Sequence, residues 1–456
     1  MLTNAPARQA AAHHFEAQLM DPPPLREGNL AAACAEGKDH STPFPRLLPR
    51  KPPPQCSGMK VAITHTRYCF KGGVERYIFD LVKRLLDAGH EVHYFCHFWD
   101  DHVDPRVKLH KVPNAWKQIR FMKVWSFDRW ISQRVRREDF DIVHGFSKTS
   151  YQDIYTDGSG CLLDYQGYSI GEAGGSKLKQ SLKRKSWHQK QILAIEQRRF
   201  TRGNFHKIVV MADLVGDQIK SRYGLGDEEV VTIYNGIDTE RFHPRNVERW
   251  DDEYRERNVI PKSAFVVLCV ANDYRRKGVP QLIEAARIAQ ERGLPDGRAL
   301  RVAVVGKDRH SYEVELSKHA RDVGLRDVVK FYGPQDQIDR WHAMADFFVL
   351  PTRFDAFGNV VLEAMATGVP TLVSAKAGAA EVVEEGKTGW VLGDPDDVQL
   401  IANKIIELAG DREQQKTMGE AGRAAAETYS WDVHFEKMLA LYEEVAEQKR
   451  AAVASA

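Results

Sequence analysis

Asp355 and Glu363 stand on either side of Gly358 in the stretch LPTRFDAFGNVVLEAMATGVPTLVSAKAG, residues 350–378. The apolar run Phe347 to Leu350 reads as a strand, and the loop after it carries Arg353, Asp355 and Gly358. Val360 to Thr367 reads as a helix with Asn359 as its N-cap and Gly368 as its stop. Such a start aims the backbone N–H groups of Gly358, Asn359 and Val360, next to Phe357, outward at the positive end of the helix dipole, which suits a diphosphate. Glu363, one turn further on, can accept hydrogen bonds from a ribose diol, and Asp355 can hold a sugar hydroxyl. The plainer alternative is two solvated charges beside an ordinary strand-to-helix turn. The glycine between the carboxylates, and the small residues and Gly-Val-Pro that follow, favour the site.

A second group of charges follows the apolar run 265–271, in the segment Asn272-Asp273-Tyr274-Arg275-Arg276-Lys277-Gly278. Three consecutive cations at a strand end can clamp a diphosphate, arginine as a planar fork and lysine as a compact charge. A solvated edge is the other reading of such a run. Gly72 and Gly73 follow the strand KVAITHT and precede a helix that begins near Val74. Adjacent glycines let a ligand approach the backbone closely, and the helix start again favours an anion. The spacing is not GxGxxG, which disfavours a nicotinamide dehydrogenase. His144, Asp153 and Asp157 lie on or just after the strand DIVHG and are the titratable candidates for holding a second substrate, although a lone histidine at a strand end is more often structural.

The elements that must position these residues alternate strand, loop, helix and strand from Met59 onward, the pattern of a parallel sheet with crossover helices. A second such sheet is expected from Glu229, opening with VVTIYNGID and continuing through 265–271, RVAVVGK and VVKFYG, with helices over 279–292 and 337–345. Two such halves leave a cleft between them, and open parallel sheets bind nucleotides beyond the carboxyl ends of their strands. The expected organisation is a Pro-rich extension over 1–58, expected to be disordered, a first Rossmann-like domain over 59–228, a second over 229–426, and an amphipathic closing helix over 427–448 anchored by Trp431.

The chain has 456 residues, 43% of them apolar, enough for two cores. A formal net charge of +2 argues against dedicated nucleic-acid binding. Cys34, Cys56, Cys69, Cys96, Cys161 and Cys269 form no CxxC pair, so neither a zinc site nor a disulfide framework is expected and a reducing cytoplasm is the simpler setting. No apolar run approaches the roughly 18 residues that span a bilayer. Residues 177–202 set Lys177, Lys179, Lys183, Arg184, Lys185, Lys190, Arg198, Arg199 and Arg202 among Leu178, Leu182, Trp187, Ile192, Ile195 and Phe200, a composition that suits an anionic membrane surface or, alternatively, a soluble helix packed on the first domain. Residues 115–137 have similar character.

The chain resembles the retaining nucleotide-sugar glycosyltransferases of family 4, whose signature is Glu, seven residues, Glu. Here Asp355 takes the place of the first Glu and Glu363 keeps the second. The resemblance implies a GT-B fold, two Rossmann-like domains facing across a cleft. It implies that Arg276 and Lys277 neutralise the departing diphosphate, that Glu363 binds the donor ribose, and that Asp355 with Phe357, Gly358, Asn359 and Val360 holds the donor. It also places Gly72 and Gly73 over the donor. Within the family, HGFSKTSYQDIYTDGSGCL (144–162) and NDYRRKG (272–278) are similar to segments of the glucosyltransferases that add the first glucose to the heptose region of the lipopolysaccharide core. A UDP-sugar, UDP-glucose by that likeness, is the implied co-substrate, a lipid-linked oligosaccharide the implied acceptor, and the inner face of the cytoplasmic membrane the implied place. Neither a cofactor nor a metal is expected, since Asp251-Asp252 sits in a charged connector and not at a strand end. The alternatives are the same chemistry on an exopolysaccharide or a small phosphorylated sugar, and a non-catalytic nucleotide-binding scaffold that has lost turnover through Asp355.

Overall fold

The computed structural model describes residues 58–455, apart from 71, 102, 115–119 and 162–186. The Pro-rich extension therefore lies outside the described residues. In space, the first sheet runs Lys108–Lys111, Glu91–Cys96, Lys60–Thr64, Ile142–Gly145, Ile154–Asp157, Lys207–Val210 and Val230–Thr232, with every neighbour parallel. The second runs Val329–Phe331, Leu300–Lys307, Phe265–Asn272, Phe347–Leu350, Thr371–Ser374 and Gly389–Leu392, again all parallel. Val61, Ala62 and Ile63 are fully buried, as are Val266, Val267 and Leu268, so both faces of each central strand are covered by apolar packing, as an all-parallel sheet requires.

In each sheet the chain leaves a central strand, winds outward to one edge, then returns to the other side of that strand and winds out the opposite way. The reversal lies between Lys60–Thr64 and Ile142–Gly145 in the first sheet and between Phe265–Asn272 and Phe347–Leu350 in the second. Beyond the carboxyl ends of strands that diverge like this, their loops part and leave a crevice. His65 to Gly73 and Phe146 to Ser147 follow one pair of ends, and Asp273 to Gly278 and Pro351 to Gly358 follow the other.

Two boundaries differ from the sequence expectation. Val230–Thr232 does not open the second sheet; it pairs with Ile208–Val210 and ends the first. Its Val230 is buried with Ile208, Val215 and Ile219, apolar contacts that fix its partner. The segment Ile233–Asp238 then crosses to the second half, and it meets the returning chain at once. Ile237 N–H donates to Tyr429 O (2.9 Å) and Trp431 N–H to Ile237 O (3.2 Å), and a Cβ on Gly236 would stand 2.9 Å from Trp431 Cα, so glycine is needed there for the two crossing segments to touch. The closing helix is likewise not continuous from 427: one helix ends at Glu427, Ser430 caps the next through its side chain, and Trp431–Ala454 runs back over the first sheet. Trp431, Met438, Leu441, Tyr442 and Val445 from that helix lie in one buried cluster with Ile63, Ile78, Leu81 and Ile142.

Candidate active site

The strand Phe265–Asn272 ends in a tight turn with Asp273 in the left-handed region (φ 66) and Gly278 there as well (φ 75), after which the helix Val279–Arg292 begins. A Cβ on Gly278 would fall 2.0 Å from Pro351 O, so the turn presses against the end of the neighbouring strand in a way only glycine allows. The contact is tied further by Arg353 N–H and Thr352 Oγ1, both donating to Arg276 O (2.8 and 3.0 Å). Gly278→Ala is therefore expected to lower stability by about 2 to 4 kcal/mol, from left-handed strain plus overpacking, and to displace both neighbouring cations. Thermal unfolding measures the first effect and donor titration the second.

This turn delivers Arg276 and Lys277 to the loop that carries Asp355. Arg276 Nη1 donates to Phe354 O (3.0 Å) and its Nε approaches Asp273 at 3.4 Å. Lys277, only 8% exposed, forms a short ion pair with Asp355 Oδ2. The backbone of Asp355 is held on its other side, its N–H donating to Lys376 O (3.0 Å) and its carbonyl accepting from Gly378 N–H (3.1 Å). The three expected catalytic residues thus meet in one place, with the cations and the carboxylate already partnered to protein.

The helix after this loop starts one residue earlier than expected. Gly358 is the N-cap (φ 98) and Asn359 the first helical residue, since glycine takes the left-handed conformation at 358 without strain. No side chain caps this start. Its first N–H groups have no partner within the helix, an arrangement suited to an anion. The Phe357 side chain is not turned to a ligand: it is buried beside Tyr234, with its carbonyl accepting from Ala379 N–H (2.8 Å). Val360 is half-buried against the same apolar cluster. Glu363, one turn in, has its Oε2 buried without a hydrogen-bond partner among the described residues and 3.5 Å from His342 Nε2.

Across from these, Gly72 (φ 114) caps the helix Gly73–Asp87, and both glycines are exposed. The Glu75 carboxylate folds under Gly72 and lies 3.8 Å from His65 Nε2, and the nearby imidazole holds its pKa below the usual range. The loop after Ile154–Asp157 joins this corner to the second half. Gly158 abuts Val74 and Met211, and a Cβ on Gly160 would stand 3.2 Å from Phe354 Cζ, next to Asp355. The halves touch again where Glu381 accepts hydrogen bonds from Asp213 N–H (2.8 Å) and Leu214 N–H (2.7 Å), at the start of the helix Asp213–Tyr223.

Of the three acceptor-side candidates, two lie in the core of the first half and the third ends the strand before this loop. His144 is fully buried between Tyr442 Oη (2.6 Å) and Thr156 Oγ1 (2.7 Å), and burial pulls its pKa down to about 3. Asp153 is fully buried and takes hydrogen bonds from Arg137 Nε (2.6 Å), Lys449 Nζ (2.7 Å) and Val143 N–H (2.8 Å). Burial acts to raise its pKa, but the hydrogen bond to His206 and the charges of Lys449 and Arg137 more than offset this and hold it low. Asp157 accepts from the N–H groups of Ser159 and Gly160 (both 2.9 Å) and shapes its own turn. His144 and Asp153 are thus spent on the fold.

The basic stretch 177–202 lies partly outside the described residues. Within the helix Trp187–Arg199 and just after it, Ile192, Ile195 and Phe200 are buried, which makes this apolar side core. Arg199 is buried too, donating to Thr149 O (2.8 Å) and Tyr155 Oη (2.7 Å), so it presents no charge outward. Arg202 is exposed but paired with Glu229; Lys190 and Arg198 are exposed. In the stretch 115–137, Phe127, Ile131 and Val135 are buried, whereas Trp125 is 39% exposed.

Sequence reasoning missed Asn235, which it read only as part of a turn. It is 4% exposed and its Nδ2 donates to Asn359 Oδ1 (2.6 Å), tying the crossing segment to the start of the helix Asn359–Thr367. The Asn-Gly pair was the signal available, and it speaks equally for a turn.

Comparison with known proteins agrees with this fold. Residues 251–425 match the family described as Glycosyl transferases group 1, and residues 71–154 match Glycosyltransferase Family 4, together more than half of the chain. The chain is 24% identical over 351 residues to the lipopolysaccharide glucosyltransferase WaaG of Escherichia coli (strain K12), covering 77% of this chain and 89% of that one. A crystal structure of WaaG, a glycosyltransferase involved in lipopolysaccharide biosynthesis, superposes with a TM-score of 0.68 at 23% identity over 85% of this chain and 98% of that one. Anabaena Alr3699/HepE in complex with UDP-glucose superposes with a TM-score of 0.60 at 17% identity over 87% and 100%.

Proposed function

We infer, from a chain that belongs to the family 4 glycosyltransferases and has their GT-B fold, that it moves glucose from UDP-glucose to a heptose-containing, lipid-linked core oligosaccharide with retention at the anomeric carbon. The observation that carries this reading is the meeting of Arg276, Lys277 and Asp355 at the second sheet's reversal, beside an uncapped helix start and the partly exposed carboxylate of Glu363.

As the bond between the anomeric carbon and the phosphate oxygen breaks, negative charge grows on the diphosphate. Lys277 and Arg276 face that charge in a partly desolvated crevice, where fixed cations act most strongly. The bond from the acceptor oxygen forms on the same face, and the acceptor proton passes to the departing phosphate oxygen. With two cations supplying the charge, the reaction needs no metal in this proposal. The N–H groups at the start of the helix Asn359–Thr367 hold the diphosphate, Glu363 accepts from the ribose diol, and Gly72 and Gly73 close over the donor. The second oxygen of Asp355, the one not paired with Lys277, is left for a sugar hydroxyl.

Acceptor identity rests on the likeness to WaaG, as does a place on an anionic membrane surface. The exposed Lys190, Arg198 and Trp125 fit that surface. Among the described residues no helix is long and apolar enough to cross a membrane.

Calorimetric titration of the chain with UDP-glucose, UDP-galactose, GDP-mannose and ADP-heptose, in the presence of a chelator, tests the donor. Selective binding of UDP-glucose is the expected result, and preference for another nucleotide sugar overturns the donor assignment. Glu363→Ala should weaken that binding by about 1.5 to 3 kcal/mol, the worth of hydrogen bonds to a charged group; unchanged affinity removes Glu363 from the site.

A further inference from the structure

His342 lies behind the site, near the end of the short helix Ile338–Ala343, and is fully buried. Phe242 meets its ring edge-on at 5.8 Å and Phe348 lies 5.6 Å away. Neither ring nitrogen has a hydrogen-bond partner among the described residues. The polar atom opposite its Nε2, at 3.5 Å, is Glu363 Oε2, which is also buried and also without a partner. A packing role in this apolar setting would be served better by an apolar ring, because a buried polar group left unpaired destabilises the fold. Two orphaned groups of complementary chemistry, facing each other at the limit of hydrogen-bond reach, mark an interaction that tightens in another state of the protein.

We propose that His342 is the positioning residue for the Glu363 carboxylate: when the donor binds, its Nε2–H takes up Oε2, fixing the carboxylate so that Oε1 is presented to the ribose diol. The inference rests on the assignment of Glu363 to the ribose. The Glu363 side chain keeps 18% exposure while Oε2 keeps none, so the buried oxygen is the one turned to the imidazole. Holding one oxygen from behind removes the freedom of a carboxylate that would otherwise share its two oxygens among rotamers, and such support from behind a binding group sets how well it is aimed.

The test uses UDP and 2′,3′-dideoxy-UDP as probes on the full chain, in the wild type, His342→Phe, Glu363→Gln and the double variant. His342→Phe is expected to weaken UDP about tenfold, the worth of one charge-assisted hydrogen bond, while leaving dideoxy-UDP binding as it is. The donor KM rises by a similar factor with kcat within about twofold, and the melting temperature holds or rises because two orphaned nitrogens leave the core. In the Glu363→Gln background the same change has no further effect on UDP affinity. Equal weakening of both probes, undiminished UDP affinity, or a full loss that persists beside Glu363→Gln each overturns the proposal. His342→Gln, which keeps an N–H donor, retains most of the affinity if positioning is the role; if His342→Phe fails to fold, loss of UDP preference in His342→Gln overturns it instead. A wild-type chain that binds UDP no better than dideoxy-UDP refutes the ribose assignment of Glu363 itself, and the inference falls with it.

Discussion

Lys277→Met lowers the rate of glycosyl transfer at saturating donor by about two to three orders of magnitude, the usual cost of deleting one preorganised group aimed at developing transition-state charge. Lys277 earns so large an effect by its placement. It is 8% exposed, its turn is pinned by Gly278 against Pro351, and its ammonium lies against Asp355. Each feature keeps water away and the cation fixed before the diphosphate begins to leave. The same placement predicts a second consequence, because Lys277→Met strands the Asp355 carboxylate, which has only 16% side-chain exposure. Breaking a buried pair from one side is destabilising by about 3 kcal/mol when burial is complete, and by less here. Lys277→Met with Asp355→Asn should therefore recover the melting temperature and none of the rate. Single-turnover kinetics with thermal unfolding on the wild type and these two variants separates the two effects. A single variant within threefold of the wild-type rate would remove Lys277 from the chemistry. Arg276→Met should cost less, about tenfold, since Arg276 is more exposed and spends one nitrogen on Phe354 O.

What could be read in the sequence was whatever is decided locally. The helix Val279–Arg292 was legible in full because Gly278 and Gly293 bracket an apolar period, whereas the helix after Asp355 was read one residue late, with Asn359 in place of Gly358 as its cap. The parallel sheets followed from alternation alone. What could not be read depended on partners far along the chain. His144 and Asp153 look like cleft residues at a strand end until Tyr442 and Lys449 arrive, 298 and 296 residues later, and claim them. Asn235 meets Asn359 across 124 residues. Val230–Thr232 is too short for its sequence to say which sheet it joins, and only burial beside Ile208 decides it. The positive charge on Arg199 suggests a surface, whereas Thr149 O and Tyr155 Oη hold it inside. A polar residue's role is set by what reaches it, and residue type and spacing do not carry that information.

Those same long-range partners predict acid sensitivity. The helix Trp431–Ala454 docks on the first half through two buried histidine contacts: His144 with Tyr442 Oη (2.6 Å), and His434 with Tyr77 Oη (2.8 Å) and Tyr234 O (2.7 Å). Burial lowers the pKa of His144 to about 3 and that of His434 to about 4. Both lie below the unfolded value of about 6.5, so between these limits the unfolded chain binds more protons than the folded one. The stabilisation from keeping each ring neutral is complete above pH 6.5 and is lost progressively as the pH falls toward the folded values. At pH 5 the loss is about 2 kcal/mol for each histidine, or about 4 kcal/mol together, a large share of the stability of a typical domain. Burial lowers the pKa of His90 and His97 as well, in the same direction. Urea unfolding at pH 7.5 and pH 5 should show this drop, and His144→Gln with His434→Gln, although less stable at pH 7.5, should show a drop smaller by most of that amount. Equal slopes in the two proteins would mean that these rings are not the groups that titrate. Because the contacts of both histidines join one helix to the first half, acid should release that helix before it opens the second sheet, and amide exchange at pH 5 should rise first in Trp431–Ala454.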